Sequence, residues 1–216
     1  SSSAASDVYK RQAVKSMGKR LLPQSRYNDI YLVHKFFTWT NELIPNKFKD
    51  LTNDHPRMVI PFRDANGKVF AYQGRAFGEE QPKYITIVLD QNSKKIFGLD
   101  RVDDSRNIII VEGPIDSLFL PNCIAVAQGD LRLPQYKTKS TLVFDNEPRN
   151  REIVKNIEKA IEEDYNVVIW PSEIEEKDIN DMIISGLTNV EITDIIHRNT
   201  FSGLQAKTQL SHWKKI

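Results

Sequence analysis

The chain has 216 residues, 40% of them hydrophobic, and a net charge of only +1, enough for one large or two small cores. A single cysteine, Cys123, excludes an internal disulfide and a zinc ribbon, and four scattered histidines offer no spaced metal set, so any metal is expected on oxygen, with no zinc in this chain. No apolar run approaches the roughly 20 residues of a bilayer span and no signal peptide opens the chain, which predicts a cytoplasmic protein without membrane contact.

Residues 1–12 are small, polar and without periodicity, and read as a non-native scar or disordered lead. Residues 13–106 form a basic α+β subdomain. Its first element is a helix over Tyr27 to Leu43, where aromatic and aliphatic positions suit packing on two sides and Pro45 ends it. A hairpin follows, with Met58 to Phe62 and Lys68 to Tyr72 joined by the turn signature Asp64-Ala-Asn-Gly67. Pro82 to Val88 reads as another strand, and Asn92 to Lys95 as a basic turn leading to Ile96, Phe97 and Leu99.

From Asn107 the pattern changes to short β-branched runs separated by helices, the mark of a parallel sheet buried on both faces. The runs are Ile108 to Val111, Cys123 to Ala127, Thr141 to Phe144 and Val167 to Trp170. Between the last two, Ile153, Val154, Ile157, Ala160 and Ile161 share one face of a crossover helix over Arg149 to Asp164. Helices are expected over Asp178 to Ser185 and Val190 to Arg198, split by a Gly186 C-cap; Ser202 to Ile216 reads as a polar tail. This places an α/β domain at 107–185 and a C-terminal helix and tail at 186–216.

Acidic residues hang on the ends of those runs: Glu112 after the first, Asp145 with Glu147 after the third, Asp178 beyond the fourth. Carboxylates at the ends of parallel strands can hold magnesium. Each position has a plain alternative, since acids before a helix also stabilise its positive end and Asp178 with Asp181 can cap one. Charge separates in the same way: residues 1–111 hold 18 Lys and Arg against 12 Asp and Glu, whereas residues 112–216 hold 12 against 17. That suits a polyanion on the first part and metal on the second.

Taken together, Glu112, the pair Asp145 and Glu147, and Lys177-Asp178 resemble the TOPRIM domain, a compact Rossmann-like parallel sheet, over about residues 107–185. Upstream, Arg57 to Phe62, Asp64 to Gly67, Gln73-Gly-Arg75, Pro82-Lys-Tyr84 and Phe97-Gly-Leu99 resemble in order the amino-terminal half of the primase RNA-polymerase core. Phe-Asp-Asn-Glu-Pro-Arg is most similar to primases of large tailed phages. Glu147 stands where Asp is common.

The resemblance implies a DNA primase core that makes RNA primers on single-stranded DNA from ribonucleoside triphosphates. Glu112, Asp145 and Glu147 would be catalytic, and the same three with Asp178 would hold Mg2+ or Mn2+. Arg75, Lys83, Tyr84, Lys94, Lys95 and Lys177 would bind nucleotide or template. A replicative helicase is expected in trans, and a zinc module is missing or supplied elsewhere. If phage-encoded, the chain would work in the host cytoplasm. The alternatives are a TOPRIM nuclease and a non-catalytic nucleic-acid-binding TOPRIM protein.

Overall fold

The computed structural model describes residue 15, residues 17–127 and residues 129–216; the expected scar at 1–12 lies outside them. The chain separates into two compact units, Ser1–Lys95 and Ile96–Ile216.

The first unit is built on an antiparallel sheet in the order β1 (Tyr31–Val33), β2 (Arg57–Arg63), β3 (Val69–Ala76) and β4 (Tyr84–Val88). The single helix expected over Tyr27 to Leu43 is corrected. A 3-10 turn covers Gln24–Asp29, and Tyr31–Val33 pairs with Arg57–Val59 before helix α1 (Phe36–Leu43) begins. Aromatic and β-branched residues crowded at 30–33 favour a pleated strand over a helical stripe. The expected hairpin is present: Asp64 Oδ1 accepts from the Asn66 and Lys68 amides, and Gly67 takes φ 79°, a conformation glycine adopts without a Cβ penalty.

One face of this sheet carries α1. Fully buried Phe36 packs with Val59, Tyr72 and Ile87, its ring 6.0 Å from that of Tyr72. The Tyr72 hydroxyl donates to Thr40 Oγ1 at 2.9 Å. Arg57, 2% exposed, donates to the Pro82 carbonyl at 2.9 Å and to those of Gly74 and Lys83 at 3.4 Å, and its guanidinium lies 5.7 Å from the Phe36 ring centre. Burial lowers its pKa, opposed by the charge of Glu80. A buried cation that ties β2 to two other chain segments is a structural strut, so Arg57→Ala is expected to cost about 3 kcal/mol, measured by urea unfolding; a change under about 1 kcal/mol would show that the strut carries little.

The second unit is a six-stranded sheet in the order β10-β9-β8-β6-β7-β5. Its strands are β5 (Ile96–Phe97), β6 (Ile108–Val111), β7 (Cys123–Val126), β8 (Ser140–Val143), β9 (Asn166–Val168) and β10 (Thr200–Phe201). The four inner strands are parallel and the two edges antiparallel. Helix α2 (Pro114–Ser117) follows β6, and α3 (Arg151–Glu162) crosses from β8 to β9. All five residues of the predicted apolar face of α3 are buried, and Asn150 caps it by accepting from the Glu152 and Ile153 amides.

Beyond β9 come α4 (Ile179–Ser185), capped by Asp178 and closed by left-handed Gly186, and α5 (Asn189–Arg198), opened by a Thr188–Glu191 capping box. Two expectations differ here. Ile96 and Phe97, read as part of the basic subdomain to residue 106, pair with Val126 and Ala125 in the second sheet. The polar tail from Ser202 is instead helix α6 (Gly203–Trp213), which buries Ala206 and Leu210 in the same core as Ile157 and Ile161 of α3. Among the described residues no helix is long and apolar enough to cross a membrane.

Candidate active site

Strand β6 is the branch point of the second sheet: the chain runs from it to β7 on one side and returns through β8 on the other. Ligands of open α/β sheets bind outside the carboxyl ends of strands at such a switch point. Glu112 directly follows β6, and Asp145 stands two residues beyond β8. The Glu112 carboxylate accepts from the Asp145 amide at 3.3 Å.

A small pocket there is lined by Glu112, Asp116, Asp145 and Asp178. Asp116 is the member that sequence reading missed. Its Oδ1 accepts from the Asn180 amide at 2.9 Å, joining α2 to the start of α4. A Cβ on Gly113 would lie 2.3 Å from Asp116 Oδ2, so the glycine after Glu112 gives that carboxylate room to fold back. The spacing Glu112-Gly113-x-x-Asp116, with its glycine, was the local signal.

The expected capping role of Asp178 is also present, since its Oδ1 accepts from the Asp181 amide at 2.8 Å; Asp181 is exposed. Glu147 sits apart from the pocket lining. It accepts from Asn150 Nδ2 at 3.1 Å and pairs with Lys177 at 3.2 Å, while the same ammonium lies 3.9 Å from Asp145 Oδ2.

Crowded acids have the expected electrostatic consequence. Burial, reinforced by the charges of Glu112, Asp116 and Asp178, pushes Asp145 up to about 8. Glu112 is also raised, chiefly by burial and then by Glu147, against the Asp145 amide that it accepts from. Burial works to lower Lys177, but its hydrogen bond to Glu147 and the carboxylates around it outweigh that and raise it. An oxygen-only donor set with excess negative charge suits a hard divalent cation. The fit is one of chemistry: among the described residues no three Asp, Glu, His or Cys side chains are already gathered as a metal cage. Cys123 is buried, and burial holds its thiol well above the ordinary range.

Arg75, Lys83, Tyr84, Lys94 and Lys95 all belong to the first unit. Arg75 is no solvated edge charge. It is 6% exposed, donates from Nε to the Tyr84 hydroxyl at 3.0 Å and lies 5.4 Å from that ring centre, because β3 and β4 pair the two residues directly. Tyr84 thus packs against Arg75, whereas Lys83 and Lys94 are exposed and Lys95 is partly so.

No family model matches the chain. It is 36% identical over 208 residues to the DNA primase of Enterobacteria phage T4, covering 94% of this chain and 60% of that protein. It is 28% identical over 132 residues to the DNA primase of Thermotoga maritima, covering 52% of this chain and 23% of that protein. The chain therefore spans less than two thirds of the length of these relatives. Among solved structures, the zinc-binding and RNA-polymerase domains of the Aquifex aeolicus primase align with a TM-score of 0.65 at 20% identity, over 94% of this chain and 60% of that one. A DnaG primase catalytic domain bound to single-stranded DNA aligns at 0.64 and 12% identity, over 94% and 84%. With more than a third of its residues shared with the T4 protein along nearly all of its length, and with both sheets in place, the chain is a relative of the DNA primases folded as their TOPRIM-containing catalytic core.

Proposed function

We propose that this chain is the RNA-polymerising core of a DNA primase, joining ribonucleotides on a single-stranded DNA template by metal-dependent nucleotidyl transfer. The reading is carried by the convergence of Glu112, Asp116, Asp145 and Asp178 outside the carboxyl ends of β6 and β8. That convergence alone would equally suit a nuclease. The match to the T4 primase takes in 94% of the chain and therefore the ordered segment from Arg57 to Leu99, which favours synthesis.

Glu112 and Asp145, with Asp178 and Glu147, would hold Mg2+ or Mn2+. Bound there, the metal would supply activation of a primer 3′-hydroxyl and charge neutralisation on the departing pyrophosphate. Lys177, which pairs with Glu147 and lies near Asp145, would exchange those carboxylates for a triphosphate oxygen. Arg75, oriented by Tyr84, and the exposed Lys83, Lys94 and Lys95 would bind nucleotide or template phosphates. A helicase in trans and a zinc module outside these residues would complete the assembly, in the host cytoplasm if the chain is phage-encoded.

The test is incubation with single-stranded DNA, ribonucleoside triphosphates and magnesium, with products resolved by length. Short RNA that falls by about 100-fold or more in Glu112→Gln is the expected result. Shortened DNA without RNA would replace this reading with the nuclease, and DNA binding without either product would replace it with the non-catalytic nucleic-acid-binding protein.

A further inference from the structure

Between the two acids of the Asp145–Glu147 pair stands Asn146, whose backbone amide and both side-chain polar atoms are engaged. Its amide donates to the Lys177 carbonyl at 2.7 Å. Its Nδ2 donates to the carbonyls of Ile174 and Glu176 at 2.8 and 3.1 Å. Its Oδ1 accepts from Trp213 Nε1 at 3.0 Å. Two carbonyls on one end of the amide and an N–H on the other fix its orientation. Aspartate has no donors for the carbonyls, and glycine has no side chain to offer.

The partners belong to two elements far away in sequence. Ile174 to Lys177 form the segment that leads into Asp178 of the pocket. Trp213 ends α6, whose next residues continue the contact, with the Lys215 amide donating to the Pro148 carbonyl at 2.9 Å and Lys214 pairing with Glu158 at 2.9 Å. A second indole braces the same turn from β9's side, Trp170 Nε1 donating to the Phe144 carbonyl at 2.9 Å. Groups that orient metal-holding carboxylates from behind typically govern metal affinity by 10- to 100-fold.

We infer that Asn146 is a positioning residue for the acidic site, locking the Asp145–Glu147 turn to the Lys177–Asp178 segment, and that Trp213 of the last helix holds it in that role. The inference rests on the proposed metal-dependent reading and deepens it. It makes α6 a working part of the site.

Manganese binding to the intact chain, followed by calorimetry without nucleotide, tests it independently of synthesis. Asn146→Ala is expected to weaken Mn2+ by about 10-fold or more. Trp213→Phe, which keeps an aromatic ring but removes the indole N–H, is expected to weaken it about 3- to 5-fold. The double variant should bind no worse than Asn146→Ala, because Trp213 acts through Asn146. Should Asn146→Ala not fold, Trp213→Phe carries the test. Mn2+ affinity within twofold of wild type in the folded variants, alongside a lowered melting temperature, would overturn the positioning role in favour of a purely structural one. Wild-type chain that makes no RNA even with the zinc module and helicase supplied, together with the expected Mn2+ losses, would overturn the priming reading while upholding Asn146.

Discussion

Asp145→Asn is expected to reduce RNA synthesis by about 100-fold or more while making the metal-free protein more stable than wild type. The two effects share one cause. Asp145 is pushed up to about 8 by burial and then by Glu112, Asp116 and Asp178, so the folded chain keeps a proton there that the unfolded chain releases near its ordinary value of 3.8. Between those values the folded state binds more protons, and stability therefore falls as pH rises. This contribution is fully present below about pH 4 and lost by about pH 8. Asparagine fills nearly the same volume and never ionises, so it removes the slope.

The gain at pH 8 should be about 2 kcal/mol, well below the roughly 6 kcal/mol that a rise of about four pKa units gives on full conversion, because nearby Lys177 and solvent already offset part of the charge. Melting temperatures in EDTA at pH 5, 6.5 and 8.5 check it. Wild type should lose stability across the series relative to the variant, and magnesium should restore it most at pH 8.5 in wild type alone. A variant less stable than wild type at pH 8.5 would show that the Asp145 charge is already satisfied by the fold.

The second large effect lies in the first unit. Gly74→Ala should destabilise the protein by about 3 kcal/mol, because a Cβ there would stand 2.3 and 2.5 Å from two carbons of the Phe36 ring. Phe36 has nowhere to retreat, being fully buried among Tyr72, Val59 and Ile87. The glycine of the Gln73-Gly-Arg75 sequence is thus explained by helix α1 lying against β3. Pairing Gly74→Ala with Phe36→Leu should recover part of the loss relative to the sum of the single changes. Urea unfolding measures all three, and a neutral Gly74→Ala would mean that Phe36 is not seated on β3.

What could be read from sequence follows the range of the interactions involved. The inner strands and α3 were legible because their signals are local: short β-branched runs and an apolar face at helical spacing. The acids Glu112 and Asp145 were legible because each terminates such a run. Asn146 was not, since its decisive partner Trp213 lies 67 residues away, and Asp116 offered only the short Glu112-Gly113-x-x-Asp116 spacing while the amide that fixes it lies 64 residues away at Asn180. Strands β5 and β10 are two residues each, too short for any periodicity to show. Helix α6 buries only Ala206 and Leu210, so its stripe is too thin to stand out in a polar segment. Tyr31–Val33 was misread because dense aromatic residues suit a two-sided helix and a strand alike.

The pairing of β6 with β8, Ile108 to Val111 against Ser140 to Val143, acts as the ruler of the acidic site. Slipping that pairing by one residue would shift Asp145 by about 3.3 Å along Glu112 and turn the strand's side chains to the opposite face. Loops around the site can vary in length without disturbing this distance, whereas a single insertion within either strand cannot. The ladder also joins segments about 32 residues apart in sequence, so the two carboxylates meet only where that pairing is intact, and loss of it would separate them.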